Sequence, residues 1–397
     1  MNKANTVLIS GAGIAGPTLA YWLFRHGFTP TLIERALALR TGGYIMDFWG
    51  VGFDVAEQMQ LVPQLRQAGY RVREVLIVND EGRRIGGFST DRSRQALRDR
   101  FVSILRGDLA RQLYATVDGR VETIVGDEIR SLREDEEGIT VEFDHASPRR
   151  FDLVVGADGL HSAVRRLVFG PASSWESYLG YCAAAFAIDG YPHRDEGAYV
   201  SYCVPGREVA RFALRDGQTV FFLIFEAPVK PVVEHHDANT QKAILCQAFG
   251  DAGWECPEIV KALDTVDELY FDPVSQIRLE QWHRGRVALV GDAAFCPSLL
   301  AGQGAALAVT SAYLLAGELE RAGGNFRAAY PAYENRLKPF IEAKQRQAAM
   351  FARQFAPKTR LGLLVRNVMS RLLDAPLIGD LMVKRMFGDR LKLPDYT

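Results

Sequence analysis

The chain has 397 residues, 48% hydrophobic, 10% aromatic and 24% charged, a make-up that excludes a disordered or collagen-like protein. Lysine and arginine total 47 against 48 acidic residues, a formal charge of −1, so no whole-chain field draws it to nucleic acid or an anionic membrane. At roughly 150 residues per domain the length implies two or three lobes that need no disulfide or metal staple. The five cysteines, Cys182, Cys203, Cys246, Cys256 and Cys296, form no Cys-x-x-Cys pair and show no zinc-ligand spacing. They fit a reducing, cytoplasmic setting and no metal site.

In chain order, Thr6 to Phe24 carries no charge and follows Lys3, a pattern that hydropathy alone would assign to a signal peptide or membrane span. Gly11, Gly13, Gly16 and Pro17 argue for another reading. Thr6 to Ser10 reads as a buried strand, Gly11 to Gly16 as a tight turn, and Pro17 to His26 as a helix closed by Gly27. Thr31 to Ile33 reads as a second buried strand ending at Glu34. Such a βαβ unit implies parallel strands and a right-handed crossover. In Gly-x-Gly-x-x-Gly the first glycine turns the chain, the second admits a pyrophosphate, and the third lets helix and strand approach. The helix start adds N–H groups and a positive dipole end. Glu34 is placed to accept hydrogen bonds from an adenosine ribose. These features predict an adenine dinucleotide and do not separate NAD from FAD.

Two later segments repeat the arrangement. Phe151 to Gly156 reads as a buried strand followed by Asp158-Gly159, with Ser162 opening a helix; both Asp158 and Ser162 also suit plain helix capping. Arg286 to Gly291 is a third buried strand, followed by Asp292, Cys296-Pro297 and Gly302-Gln303-Gly304 at the head of a helix running to Arg321. A strand-end aspartate can bond the hydroxyls of a polyol, and the glycine-lined helix start can face a second polar head. A flavin meets both demands, and a helix N-terminus near its ring stabilises the charge gained on reduction.

Between these segments, Tyr181 to Ile188, Ala198 to Val204, Val209 to Leu214 and Thr219 to Phe225 are short strand-like runs separated by Gly, Pro and Asp turns. They predict an antiparallel sheet in a second, inserted lobe. Tyr330 to Phe355 reads as a long helix.

Gly11-x-Gly13-x-x-Gly16 with Glu34-Arg35, Asp158-Gly159 ending in Arg165, and Gly291-Asp292 with Pro297 and Gly302-Gln303-Gly304 resemble the three signature motifs of the class A flavoprotein monooxygenases, the para-hydroxybenzoate hydroxylase-like enzymes. Gly42-Gly43 and Arg106-Gly107-Asp108-Leu109 match as well. The resemblance implies that the first lies beside the flavin ring and that Arg106 serves the phosphate and ribityl region. Ala15-Gly16-Pro17, Gly42 to Gly50, the Arg106 segment and Asp292 to Gln303 look most similar to tetracycline-inactivating members. The sequence departs from the pattern at Phe295, where many members have His, and at Ala305-Ala306, where Asn is frequent.

The expected fold is therefore α/β, with a Rossmann-like FAD-binding domain assembled from 1–70, 101–172 and 271–355. An antiparallel-sheet substrate-binding domain from 71–100 and 173–270 is inserted in it, and 356–397 forms a C-terminal helical tail. The resemblance implies non-covalent FAD, NADH or NADPH as hydride donor, molecular oxygen, and a flavin C4a-(hydro)peroxide that oxygenates an aromatic, phenolic or polyketide-like molecule. No catalytic triad is visible and none is expected. No second dinucleotide fingerprint exists for NAD(P)H, so it docks transiently, with Arg106 and Arg165 as candidate helpers. Tyr202, Arg211, Phe222 and Phe225, from the inserted strands, are candidate substrate contacts, although strand aromatics are more often core. His161, His235 and His236 are bases by type, in positions that suggest solvent exposure.

The competing enzyme reading is a halogenase or reductase on the same fold. Trp254-Glu255-Cys256-Pro257 does not match the halogenase Trp-x-Trp-x-Ile-Pro segment. A flavin-binding sensor without turnover is the reading from another class. A monomer or weak homodimer is expected. Leu361, Leu364, Val368 and Leu372 recur at helical spacing among Arg360, Arg366 and Arg371, before Asp374-Ala375-Pro376 interrupts the pattern and Ile378, Leu381 and Met382 resume it. This amphipathic tail is expected to pack its apolar face across the lobes rather than lie on a membrane.

Overall fold

Val7, Leu8 and Ile9 are wholly buried because their strand, Thr6–Ser10, runs between two parallel neighbours, Thr29–Glu34 and Leu153–Gly156. In this computed structural model, which describes residues 5–38, 43–233, 237–355, 357–375 and 391–396, the sheet continues to Glu122–Val125 at one edge. At the other it passes through Val287–Leu289 to the short antiparallel strand His283–Arg284. Strands covered on both faces show unbroken apolar runs instead of alternation. Helices Ala15–Arg25 and Gly304–Arg321 pack together, with the Trp22 and Tyr313 rings edge to face at 4.8 Å. The helix Phe326–Phe355 begins four residues earlier than expected and buries Tyr330 and Tyr333.

The run Phe151 to Gly156 is not one strand. Asp152 accepts hydrogen bonds from the N–H groups of Asn5 at 2.9 Å and Thr6 at 2.8 Å, which anchors the chain to the first strand and divides the run. Before it, Arg149–Phe151 joins a separate antiparallel sheet with Ile139–Phe143 and Ile129–Glu134.

The inserted lobe is a seven-stranded sheet in the order Tyr270–Ile277, Glu176–Asp189, Gln218–Glu226, Arg207–Ala213, Ala198–Val204, Glu74–Val78, Arg84–Ser89. Every pairing is antiparallel except that of Ala198–Val204 with Glu74–Val78, which is parallel. The exception arises where a segment from an earlier part of the chain meets the meander, so no hairpin fixes its direction. Helices Ala238–Phe249 and Cys256–Ala262 cover one face over Tyr202, Phe221 and Phe225. The opposite face carries Phe222, Ile224 and Val274 and packs against Leu299 and Leu300 of the dinucleotide lobe. A two-stranded ribbon, Ile45–Trp49 with Phe101–Leu105, meets the same side of the sheet, where Ile45 and Leu105 contact the Phe212 and Val220 cluster.

The C-terminal helix Arg360–Leu372 docks on Arg84–Ser89 and Ala198–Val204, but through its polar residues. Arg366 Nη1 lies 3.5 Å from Glu208 Oε2 and donates to Cys203 Sγ at 2.7 Å, and Ser370 Oγ accepts from Gly87 N at 3.0 Å. Leu361, Leu364 and Val368, expected to face inward, are 73%, 63% and 51% exposed. The sheet presents Glu208, Ser201 and open backbone N–H groups here, and these select the guanidinium side of the helix. Ile378, Leu381 and Met382 lie outside the described residues. Among the described residues no helix is long and apolar enough to cross a membrane.

Candidate functional site

The first glycine turn shows three distinct environments. A Cβ on Gly16 would sit 1.8 Å from Gly11 O, and one on Gly11, whose φ is +103°, would sit 2.6 Å from Ala157 O. Packing excludes side chains at both. A Cβ on Gly13 would meet nothing within 4 Å, so this glycine borders open space at a helix start, the shape a pyrophosphate cradle requires. Ala15 is buried at the head of the helix that follows. Glu34 closes the cradle from the neighbouring strand, accepting from Ala12 N at 2.8 Å and Ala36 N at 2.9 Å. Arg35 points outward, 3.9 Å from Glu128.

A second cradle forms around Asp292. Gly291, with φ +60°, turns the chain out of its strand, and the Asp292 carboxylate comes to rest beside Gly304, where a Cβ would lie 3.7 Å from Oδ1. Gln303 and Gly304 open the helix Gly304–Arg321, so its exposed N–H groups and the acid address the same region. Gly302 is left-handed, at φ +64°, with open space around it. Pro297 contributes its carbonyl, which accepts from Gln276 Nε2 at 2.9 Å and so fixes the preceding turn. Burial pushes the Asp292 carboxyl up, and the positive charge of Arg106 opposes that shift. Arg106 opens the helix Arg106–Tyr114, and its Cβ lies 3.4 Å from where a Cβ on Gly43 would be. Gly42 lies outside the described residues.

Asp158 has a local task. Its Oδ2 accepts from Ala163 N at 2.8 Å and Val164 N at 3.1 Å, while Ser162 Oγ accepts from Arg165 N at 2.9 Å. The carboxylate and the serine thus cap the helix Ala163–Phe169. Arg165 is fully buried, donates to Ala293 O at 2.8 Å and to Leu160 O, and lies 4.0 Å from the Trp175 ring centroid. Desolvation lowers its guanidinium to about 10. It clamps the Asp158 turn to the Asp292 turn and has no surface from which to meet a docking nucleotide.

Between the lobes, Tyr44 brings its ring 5.5 Å from Phe222 and 5.6 Å from Tyr270. Burial raises the phenols of both tyrosines, and the Arg106 charge opposes that in each. The aromatic trio therefore adjoins the Arg106 and Asp292 cradle. Of the four strand residues nominated as substrate contacts, only Phe222 is here. Tyr202 donates to Asp80 Oδ1 at 2.5 Å, Phe225 packs on Phe249, and Arg211 holds Glu255 at 2.8 Å and Asp195 at 2.6 Å. All three lie on the helix-covered side. The alternation of a strand separates them: Phe222 and Phe225 are an odd number of residues apart and face opposite ways.

Sequence reasoning singled out neither Tyr44, although it directly follows Gly42-Gly43, nor Tyr270, which stands in no glycine motif; the glycine pair and alternation on Tyr270–Ile277 are the signals that were available. His161 is not merely solvent-facing, since its Nε2 lies 2.6 Å from Asp272 Oδ1. His235 and His236 lie outside the described residues. Phe295 is 1% exposed, its ring 4.7 Å from Trp282, and is a core residue. Ala306 packs so closely that a Cβ on Gly52 would sit 2.4 Å from its Cα, which accounts for a small side chain at that point.

Two glycine-lined helix starts on one parallel sheet, each with a strand-end acid, define a flavin dinucleotide protein. The chain belongs to the FAD-binding domain family, whose model matches residues 4–343. A flavin-dependent monooxygenase of Legionella longbeachae is 32% identical over 407 residues, covering 100% of this chain and 99% of the relative. The tetracycline destructase Tet(51) has the same fold, with a TM-score of 0.85 at 30% identity and coverage of 99% and 100%. Klebsiella pneumoniae HpxO, solved with FAD and uric acid, shares the fold at 23% identity, a TM-score of 0.79 and coverage of 98% of both chains. The protein is an FAD-dependent monooxygenase that uses NAD(P)H and oxygen on a small molecule.

Proposed function

We propose that this enzyme oxygenates a planar, hydroxylated small molecule, aromatic or polyketide-like, held between Tyr44, Phe222 and Tyr270. The observation that carries the reading is the contact of those three rings across the lobes, directly beside Arg106 and Asp292. Aromatic faces suit a flat ligand. In this reading the Gly11 to Gly16 turn and Glu34 hold the adenosine end of FAD, while Gly43, Arg106, Asp292 and Gly302 to Gly304 hold the ribityl and ring end. When bound, FAD supplies the redox and oxygen-activating chemistry. The chain's own residues do the rest: Arg106 and the helix start at Gly304 offer positive potential where negative charge develops, and the aromatic trio excludes water.

The similarity to a tetracycline destructase makes tetracycline-like polyketides the first compounds to test, followed by simple phenols. The free thiols agree with a cytoplasmic setting, and a monomer or weak homodimer is the expected state. The test is a screen of such compounds for stimulated NADH or NADPH oxidation, repeated with Phe222→Ala. A compound whose stimulation falls about tenfold in the variant supports the site. Stimulation by none of them, or a halogenated product in the presence of chloride or bromide, contradicts it.

A further inference from the structure

The C-terminal helix Arg360–Leu372 is amphipathic and stands with its apolar side outward. Leu361, Leu364, Val365, Val368 and Met369 are all exposed, and their spacing of i, i+3, i+4, i+7 and i+8 sets them in one stripe along one side of the helix. The opposite side is fastened to the seven-stranded sheet. Besides the bonds of Arg366 and Ser370, Asp374 Oδ1 accepts from Ser89 N at 2.9 Å and Arg371 Nη2 donates to Ile85 O at 2.7 Å. A Cβ on Gly86 would sit 3.0 Å from Ser370 Oγ, so helix and strand lie close together. Rolling the stripe inward would strip the buried Glu208 of its cation, and a buried carboxylate left unpaired is strongly destabilising. The fold therefore holds the apolar side outward.

A contiguous apolar stripe rimmed by polar residues marks a contact with a second surface. Charge and size say which kind. From Lys358 to Thr397 the chain holds eight Lys and Arg against four Asp, whereas its overall formal charge is −1. Arg360 and Arg371, both exposed, fall about a quarter turn from the centre of the stripe and on the same side of it. An anionic surface complements that arrangement. A second copy of the chain does not: the helix has 13 residues, so it is about 20 Å long and about 10 Å wide, and its stripe offers roughly 200 Å² where a stable complex uses about 800 Å² per partner. Each copy would also bring the same excess of positive charge. Among the described residues no helix is long and apolar enough to cross a membrane, so the contact is with a surface.

We propose that the helix Arg360–Leu372 seats the enzyme on an anionic lipid surface. It lies in the plane of that surface, with Leu361, Leu364, Val365, Val368 and Met369 at the boundary of the acyl chains and Arg360 and Arg371 among the head groups. The basic side chains attract the protein, and the apolar stripe enters the lipid. The association is reversible, because one short amphipathic helix holds far less firmly than a spanning segment. The inference is independent of which compound the enzyme oxygenates.

The test is flotation of the FAD-loaded full chain with vesicles of phosphatidylcholine alone and of phosphatidylcholine mixed with phosphatidylglycerol. Wild-type protein should float with the mixed vesicles at low salt and stay free of phosphatidylcholine alone. Raising the salt to about 1 M, where the screening length falls to about 3 Å, should release most of it. The double variant Leu364→Glu, Val368→Glu should lower the bound fraction about tenfold, with flavin absorbance unchanged, since both side chains stand outside the packed core. If it does not fold, Leu361→Glu, at the most exposed position of the stripe, serves. Arg360→Gln should weaken binding about fivefold through charge alone. Wild-type protein that does not float with the mixed vesicles, or flotation unchanged in the acidic variant, overturns the inference. So does wild-type protein that sediments as a dimer and is broken into monomers by the acidic variant, a result that assigns the stripe to a second copy.

Discussion

Arg165 Nη1 donates to the carbonyl oxygen of Ala293 at 2.8 Å, and through this bond the turn after Leu153–Gly156 is tied to the turn after its sheet neighbour, Val287–Leu289. The same guanidinium reaches Leu160 O. Arg165→Ala leaves these carbonyls without a donor in a site closed to water, and should cost about 2–4 kcal/mol by denaturant unfolding. Because the clamp sets the position of Asp292, FAD should also dissociate faster. A variant within about 0.5 kcal/mol of wild type that retains FAD normally would remove the clamp from the account.

The glycines of the first turn should separate stability from binding. Gly13→Val enters space that is open in the protein, so the variant should fold with near-normal stability yet lose FAD affinity by well over about tenfold, giving colourless protein. Gly16→Ala drives a methyl group into Gly11 O and should destabilise the fold itself. Absorbance of the purified proteins and their melting temperatures distinguish the two. Equal flavin content in Gly13→Val and wild type is the contrary result.

Acid sensitivity should centre on Asp127, which is 5% exposed. Burial pushes its carboxyl up, but the N–H groups of Ala146, His145, Glu128 and Asp144 together hold it below the ordinary value. A carboxyl depressed by folding contributes stability that is complete above its unfolded pKa and is lost as the pH falls toward the folded one. Asp127→Ala should therefore cost about 2–3 kcal/mol at neutral pH, and less as the pH falls below about 4. A deficit that is constant across that window would show that the charge of Asp127 is not what matters.

The buried parallel strands were legible because each is an unbroken apolar run that ends at a glycine, an acid or both, and such motifs carry their own geometry. The substrate face was much less so. Phe222 and Phe225 are the same residue type on the same strand, and only the direction of alternation, which is set by packing against Ala238–Phe249, separates them. The partnership of His161 with Asp272, 111 residues apart, has no local signature. Asp158 shows the reverse: its sequence context suited capping and cofactor binding equally, and the hydrogen bonds to Ala163 and Val164 show the carboxylate capping a helix. On the tail, hydrophobic period indicated the wrong docking side, because the sheet surface it meets is lined by Glu208 and Ser201.

Removing the chain after Lys358 takes away Arg366 and leaves Glu208 buried without its cation. It also removes Tyr396, which packs on Tyr313 of the helix Gly304–Arg321, so cofactor content is read in Arg366→Ala, which leaves the turns proposed to hold FAD untouched and should keep it close to normal. Substrate KM should rise several-fold and NAD(P)H oxidation should uncouple toward hydrogen peroxide. Arg366→Ala should reproduce part of the effect. A folded truncation with wild-type KM and coupling would separate the tail from catalysis.

Oxygen-isotope labelling tests the central claim most directly. With a stimulating compound, NAD(P)H and labelled molecular oxygen, mass spectrometry should find one labelled atom in the organic product and none in a control run in labelled water with ordinary oxygen. Product that takes its oxygen only from water, or NAD(P)H consumption that yields hydrogen peroxide with every compound and no oxygenated product, would contradict the assignment as a monooxygenase.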